Sequence, residues 1–252
     1  MNLFNLISDR YDRNARLYPA LLLVAPAVVT GVAFFAFKLT GVQSMGAAFA
    51  GMGGAFLLTQ LARDAGKTRE PSLFQLLGGM PSIVIFRHAN KQLDAITKAR
   101  YHRKLERLVA EAKAPTREEE LANLDSADEV YSAWSQFLRT NTRDIKKYSM
   151  LFNENVNYGY RRNVWGLRPI GIALSLLCVL VVGGRLWLVQ SETGQINQHM
   201  AIAFVVALLF LSLWLFRFTS DWVRIPAIAY AERLAESVET MDLKTTAKKP
   251  KA

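Results

Sequence analysis

The residues best suited to chemistry lie in one short stretch, RHANKQLDAITKARYH, which runs from Arg87 to His102. It contains two of the chain's three histidines, together with lysines, arginines, an aspartate and a tyrosine. Histidine serves proton transfer and metal binding, whereas arginine and lysine bind anions. The residue types are therefore compatible with a catalytic centre, a metal site or an anion site.

Helical spacing argues against the first two of these interpretations. The pattern predicts one helix from about Ala89, which would separate His88 and His102 by about 21 Å at 1.5 Å per residue. No HExxH, CxxC or HxxxH spacing supports a metal site. Asp94 is predicted to pair with Lys98 on this helix and lies too far from His102 for a direct hydrogen bond. We therefore predict no catalytic residue, no metal site, no cofactor and no enzymatic activity.

The same helix presents a strongly basic surface. One interpretation is a solvated face that is attracted to anionic lipid headgroups, and the functional alternative is a site for a small anionic ligand or a cytoplasmic protein partner. No glycine-rich phosphate loop accompanies it, and no nucleic acid is expected as a partner. The residues predicted to bind a ligand or partner are Arg87, His88, Lys98, Arg100, Tyr101, His102 and Arg103.

Four apolar runs place this stretch relative to a membrane. A helix of roughly 17–25 apolar residues crosses a bilayer. The four runs are residues 19–37, 45–62, 170–189 and 200–216. A cleaved secretory signal is the competing interpretation of the first run, but the preceding leader carries both signs of charge. The predicted fold is an all-α integral membrane protein with four transmembrane helices, arranged as two hairpins around a mainly helical cytoplasmic insert.

The distribution of basic residues predicts the orientation. Of 31 lysines and arginines, only Lys38 and Arg185 lie near the two short hairpin loops, residues 38–44 and 190–199. The positive-inside rule therefore places both termini and the middle segment in the cytoplasm. This topology also accounts for the net charge of +10 without a nucleic-acid partner.

The sequence predicts five consecutive parts. These are an amphipathic N-terminal helix (1–18), a transmembrane hairpin (19–62), a cytoplasmic helical domain (63–168), a second hairpin (169–217), and a cytoplasmic amphipathic helix with a basic tail (218–252). Within the domain, β-branched residues predict a short extended piece at 82–86. Thr116 is predicted to begin a helix with a capping box, and Asp125 or Ser126 to cap the next.

Small residues recur every four positions in the second apolar run. Such a face lets helix backbones approach closely. It would pack either against the first span of the same chain, or against another copy as an oligomer interface or pore lining; a homo-oligomer is the expected assembly. The predicted packing residues are Gly46, Ala50, Gly51 and Gly54.

A second dense polar run, NENVNYGYRRN, occupies residues 153–163, directly before the third apolar run. Tyrosine and arginine side chains at this depth anchor a span among lipid headgroups. The alternative is a hinge or gate between the cytoplasmic domain and the span, with the glycine as its bending point. The predicted gate or interface residues are Asn155, Tyr158, Gly159, Tyr160, Arg161 and Arg162.

The two-plus-two layout with a helical insert and basic flanks resembles the small four-span effector proteins of bacterial antiviral signalling systems. This resemblance of architecture implies membrane disruption when a sensor domain or partner signals infection, and it carries over no functional residue. We expect a multi-pass inner-membrane protein whose cytoplasmic domain senses a ligand or partner and acts on the spans as an oligomeric, pore-forming or channel-like effector. The alternatives are a membrane-anchored scaffold or adaptor for a cytoplasmic partner complex, and an enzyme whose active site lies in the middle domain.

Overall fold

The computed structural model describes residues 9–35 and 41–242, without the side chains of residues 35, 41–53 and 55. The described chain is mainly helical and contains no strand, which confirms the all-α prediction for these residues. Its helices are α1 (Arg10–Asp12, π-helical Arg13–Leu17 and Tyr18–Phe35), α2 (Gly41–Leu76), α3 (Pro81–Val84), α4 (Ala95–Leu108), α5 (Arg117–Ala122), α6 (Leu124–Asn141), α7 (Ser149–Thr193), α8 (Gln198–Ser212, then π-helical Leu213–Arg217) and α9 (Ser220–Glu236, then a 3-10 turn, Ser237–Thr240).

Three described helices are long and apolar enough to cross a membrane: Arg10–Phe34, Ser149–Thr193 and Gln198–Arg217. They contain residues 19–34 of the first predicted run and the whole of the third and fourth. The second predicted run, 45–62, belongs to α2, but most of its side chains lie outside the described residues. The span predicted at residues 45–62 therefore stays a prediction from the sequence.

The chain forms two compact units, each built from two segments. The first unit combines Met1–Pro71 with Gly159–Val223, and the second combines Ser72–Tyr158 with Arg224–Ala252. The boundaries between the units fall inside α2, α7 and α9. Each of these helices therefore contributes residues to both units.

Aromatic residues near the end of α8 form much of the first unit's core. The ring of Trp214 lies 4.8 Å from that of Phe218, which in turn lies 5.1 Å from that of Trp222. A Cβ added to Gly171 would come within 2.8 Å of the Trp214 indole, so only glycine admits this ring against α7. Leu23 of α1 and other buried apolar residues complete the cluster.

The second unit has its own core, centred on α4 and α6. Phe86, Tyr131 and Trp134 are fully buried, and the Phe86 and Trp134 rings meet edge to face at 5.9 Å. The apolar face predicted for the C-terminal helix is buried in the same core. Its buried members are Ala231, Leu234, Ala235, Val238 and Met241.

Several local predictions in this unit are wrong. Residues 82–86 are not extended, because Pro81 begins the short helix α3 and buried Ser82 accepts a hydrogen bond from Ser135 Oγ at 3.0 Å. The side-chain preference for strand is outweighed by this tertiary contact. The helix predicted from Ala89 begins only at residue 95, where Asp94 caps it by accepting from the Thr97 N–H at 2.9 Å. Asp94 therefore does not pair with the lysine one turn later.

The capping box at Thr116 is confirmed, with Glu119 as its reciprocal partner. The next helix is capped by Asn123, whose side chain accepts from the Ser126 N–H at 3.1 Å, so the prediction of Asp125 or Ser126 is wrong. Asn123 has an extended backbone and can accept where residues inside the helix cannot. Residues 1–8 of the predicted leader and residues 243–252 of the predicted basic tail lie outside the described residues.

Candidate functional site

The late start of α4 brings the two histidines of the opening stretch together. His88 precedes the helix, and its ring lies 5.1 Å from that of His102 in an edge-to-face arrangement. The His102 ring is buried, and its Nε2 lies 2.8 Å from the Phe86 carbonyl oxygen. The predicted separation of about 21 Å is therefore wrong, because turns replace the helix between residues 88 and 94.

Lys98 is buried instead of lying on a solvated face. Its ammonium group donates to the carbonyl oxygens of Arg87 at 2.9 Å, of His88 at 3.3 Å and of Asn90. Burial lowers the pKa of Lys98, and the carboxylate of Glu120 opposes that shift. The ammonium thus satisfies carbonyl groups that a helix would have bonded internally.

A buried carboxylate holds the other side of this turn. Glu120 Oε2 accepts from the His88 backbone N–H at 2.9 Å and from the Tyr131 hydroxyl at 2.6 Å. Burial raises the pKa of Tyr131, and the hydrogen bond to Glu120 raises it further. Arg87 forms a bidentate pair with Asp128, with N–O distances of 2.8 and 2.6 Å, which raises the arginine's pKa. These contacts fix the turn to α5 and α6.

Burial determines the protonation state of the inner histidine. Burial lowers the pKa of His102 to about 4, so this histidine is neutral at neutral pH. Since a carbonyl only accepts, the proton of the neutral ring is on Nε2. No group of three or more His, Cys, Asp or Glu in the described part of the chain could hold a metal ion. We assign the histidine pair to the packing of this unit.

Two other basic residues of α4 contact the C-terminal turn of the same unit. The Arg100 guanidinium pairs with the Glu239 carboxylate at 2.6 Å, and Lys104 donates to the Glu239 carbonyl at 3.0 Å. Tyr101 is buried, whereas Arg103 is exposed. Of the seven residues predicted to bind a ligand, most therefore have partners within the chain.

An open pocket of about 450 Å³ lies beside the start of α4. Its lining includes the exposed cations Lys91 and Arg117, together with His88 and Lys98. Asp94 contributes the one carboxylate, and that group caps the helix. The pocket is suited to an anionic group. The sequence pattern missed Arg117, because α5 supplies it from fifteen residues beyond His102.

The polar run 153–163 lies in the uninterrupted helix α7, so Gly159 does not break it. Gly159 is instead a point of close approach, since an added Cβ would lie 2.9 Å from Tyr11 Oη. The Arg162 guanidinium pairs with Glu70 at 2.6 Å, and the Asn163 amide donates to the Ala15 carbonyl at 2.7 Å. This face of α7 therefore holds α1 and α2.

Another face of α7 holds the end of α8 and the start of α9. Arg168 donates from Nε to the Trp214 carbonyl at 3.0 Å and from Nη2 to the Leu215 carbonyl at 2.9 Å. These carbonyls lie at the C-terminal end of a helix, where they lack intrahelical partners and where positive charge is favourable. Arg168 thus caps the π-helical turn that ends α8.

Arg161 makes the corresponding contact with α9. Its Nη1 donates to the Trp222 carbonyl at 3.0 Å. That carbonyl is available because Pro226, four residues on, has no N–H to donate. Arg161 and Arg168 are two helical turns apart on α7 and bind on either side of the break between α8 and α9. We call this pair the arginine clamp.

The remaining predicted residues are placed as follows. Asn155 and Tyr158 are half-buried in the second unit, and the Tyr160 ring lies 6.1 Å from that of Trp222 in the first. Gly54 is half-buried, and an added Cβ would meet nothing within 4 Å in the part of the chain that the structure describes. The side chains of the other predicted packing positions, Gly46, Ala50 and Gly51, lie outside the described residues.

Comparisons with protein-family models, with curated proteins and with solved structures find no match to this chain.

Proposed function

We propose that the chain is a four-span protein of a bacterial inner membrane, with both termini and the second unit in the cytoplasm. In this proposal the second unit binds an anionic ligand or an acidic protein partner and thereby acts on the spans. The spans assemble as an oligomeric, channel-like effector of the kind that the antiviral four-span proteins exemplify. The arginine clamp is the observation that carries the proposal.

The spans and their orientation have separate support. Three described helices have the length and composition of membrane spans, and the run 45–62 supplies the fourth from the sequence. Lysines and arginines avoid the two short hairpin loops, as expected for loops outside the cytoplasm. Arg161, Arg168 and Arg217 would then lie near the cytoplasmic surface.

The pocket beside α4 supports ligand binding by the second unit. Lys91 and Arg117 line it from different elements, and both side chains are exposed. Guanidinium and ammonium groups placed together favour phosphate or carboxylate ligands. The proposed ligand is therefore a small anion or an acidic segment of a partner protein.

The clamp supports an effect on the spans. Helix α7 belongs to the second unit up to Tyr158 and to the first from Gly159 onward. Beyond that point, Arg168 binds backbone carbonyls at the end of the fourth predicted span. Carbonyl groups near lipid are costly to leave without a partner, so the clamp should persist when α7 moves. A displacement of α7 would then displace α8.

The oligomer is tested by replacing Gly54 with leucine. Because a Cβ added at this position would meet nothing within 4 Å among the described residues, we expect Gly54→Leu to insert and fold but to break packing between copies. Native-mass measurements in mild detergent should show the wild type as an oligomer and the variant as a monomer. Ion leakage from liposomes should be lost with the oligomer.

Gly184→Leu is the matched control, because it adds the same side chain to another glycine with open space around it. It should keep both the oligomer and the leakage. A wild-type protein that is monomeric and leaves liposomes tight to ions would contradict the effector proposal.

An adaptor is the second candidate. Ile96 and Leu121 are 79% and 76% exposed on the second unit, and these are apolar side chains that it would offer to a docking partner. The adaptor function predicts a folded monomer and tight liposomes. The leakage measurement therefore separates the two candidates.

A further inference from the structure

We infer that the second unit binds a second copy of this chain, with a basic face of α4 on one copy against an acidic groove of α5 and α6 on the other. The inference rests on the homo-oligomer of the proposed function and deepens it, because it names an interface outside the predicted spans. It requires no channel, since the charges and exposed apolar side chains of the second unit carry it.

One face of α4 is exposed, basic and partly apolar. Residues three or four positions apart lie on the same side of a helix. Four exposed residues of α4 have this spacing, and we call them the basic stripe: Ile96, Arg100, Arg103 and Arg107. Arg100 pairs with Glu239, whereas Arg103 and Arg107 form no ion pair within the described residues. The stripe therefore presents two arginines whose charges are not neutralised by the described part of the same chain.

An open groove of about 420 Å³ lies where the chain enters α5 and continues into α6. Its apolar lining consists of Ala114, Pro115, Ala122, Ala127 and Val130. Glu119 contributes a carboxylate to the lining, and Lys113 contributes its one cation. The exposed acidic residues of α5 and of the first turns of α6 are Glu118, Glu119, Asp125 and Glu129. We call the groove, together with these carboxylates, the acidic groove.

The basic stripe and the acidic groove are complementary in charge. The one acidic residue of α4 is Glu106, which is half-buried beside the stripe, so the stripe stays positive. In the groove, the exposed carboxylates outnumber Lys113. Complementary charges on two surfaces steer their association and suppress wrong pairings, because a stripe repels another stripe. Since one chain carries both surfaces, each copy can supply the stripe to one groove and receive a stripe in its own.

Exposed apolar side chains accompany the charges on both surfaces. Ile96 in the stripe and Leu121 beside the groove are the most exposed large apolar side chains among the described residues of the second unit. Removing such surface from water favours association. Interfaces between proteins combine an apolar centre with a polar rim. The apolar lining of the acidic groove would receive Ile96 of the other copy, with arginines and carboxylates paired around it.

Cross-linking of two full-length chains in membranes tests this contact. The native cysteine, Cys178, is replaced by alanine in both chains. One chain then carries Ala99→Cys, next to the stripe, and the other carries Ala122→Cys, in the groove; both positions are exposed. The two chains are produced together with different tags and treated with a short bismaleimide. We expect a product that carries both tags, in excess over the products that link two identical chains.

Charge reversal shows whether the two surfaces meet each other. Arg103→Glu with Arg107→Glu in the Ala99→Cys chain should lower the mixed product roughly tenfold. Glu118→Arg with Glu129→Arg in the Ala122→Cys chain should restore it when the two reversed chains are combined, because stripe and groove are then complementary again. The matched control is Lys146→Glu with Lys147→Glu in the Ala99→Cys chain. It makes the same change of charge at exposed lysines outside both surfaces and should leave the mixed product unchanged.

Three results would overturn the inference. The first is a mixed product that survives reversal of the stripe, and the second is an equal loss in the lysine control, which would indicate a general charge effect. The third is an oligomeric wild type without any mixed product, which would leave Ile96 and Leu121 to a different protein. An oligomer that leaks ions without this contact contradicts the inference alone, whereas the contact in liposomes that stay tight contradicts only the effector proposal.

Discussion

A Gly166→Ala protein should lose the close packing of α7 against α2. The added Cβ would lie 2.6 Å from the Ala65 carbonyl oxygen and closer still to the backbone atoms around it. Backbone cannot rotate away as a side chain can, so the two helices must separate. We expect the free energy of unfolding to fall by about 2–3 kcal/mol, measured as thermal unfolding of the full chain in detergent.

Gly184→Ala is the control within the same helix. An added Cβ there meets nothing within 4 Å, and alanine has the higher helix propensity. This variant should be as stable as the wild type or slightly more so. Equal destabilisation by both substitutions would show that helix α7 does not pack through Gly166.

Mild acid should destabilise the second unit through His102. The pKa of this buried ring is about 4 in the folded protein, against 6.5 for an exposed histidine. Protonation of His102 therefore favours the unfolded state. The stabilisation that the neutral His102 ring gives the folded state is complete above about pH 6.5. It is lost progressively as the pH falls from there towards 4, and the full loss is about 3 kcal/mol at 1.36 kcal/mol per pKa unit.

Denaturant unfolding of the full chain at several pH values between 7 and 4 measures this effect. His102→Gln retains a donor for the Phe86 carbonyl but does not titrate, so its stability should change much less over this range. His199→Gln removes a histidine from the first unit and should keep the wild-type dependence. A wild-type pH dependence in His102→Gln would contradict the assignment.

The features that the sequence predicts correctly depend on residues that are close together in the sequence. The capping box at Thr116 and the apolar helices follow from local composition and spacing, and both are present. The period of the C-terminal helix also predicts its apolar face correctly. It does not predict that this face is buried in the second unit's core. Local patterns thus define which face is apolar but not what covers it.

The contacts that decide the histidine region are distant in sequence. Glu120 lies 32 residues from His88, and the two serines that hold α3 are 53 residues apart. Because of these contacts, residues 87–94 form turns and the helix begins only at residue 95. The side chain of Lys98 is then buried against those turns. No periodicity within residues 87–102 contains that information, so the pattern predicted a longer helix and a solvated lysine.

The arginine clamp likewise depends on contacts between residues that are distant in sequence. Both of its arginines are visible in the sequence, and Arg161 was predicted to lie at a gate or interface. Their partners are backbone carbonyls 46 to 61 residues away, at a helix end whose position the pattern did not define. A proline four residues after a carbonyl acceptor is the one local signal that could have indicated Trp222 as a partner.

The topology is tested most directly by cysteine labelling in intact cells whose outer barrier is permeable to a maleimide that cannot cross the inner membrane. The native cysteine, Cys178, is buried and is replaced by alanine. Single cysteines are then introduced at Thr40, Arg103 and Gln195, in the first predicted loop, the second unit and the second predicted loop.

Four spans with a cytoplasmic second unit predict that Thr40→Cys and Gln195→Cys are labelled in intact cells, whereas Arg103→Cys is labelled only after lysis. If α2 does not cross the membrane, Thr40→Cys and Arg103→Cys would react alike. Labelling of Arg103→Cys in intact cells, or protection of Thr40→Cys, would contradict the account.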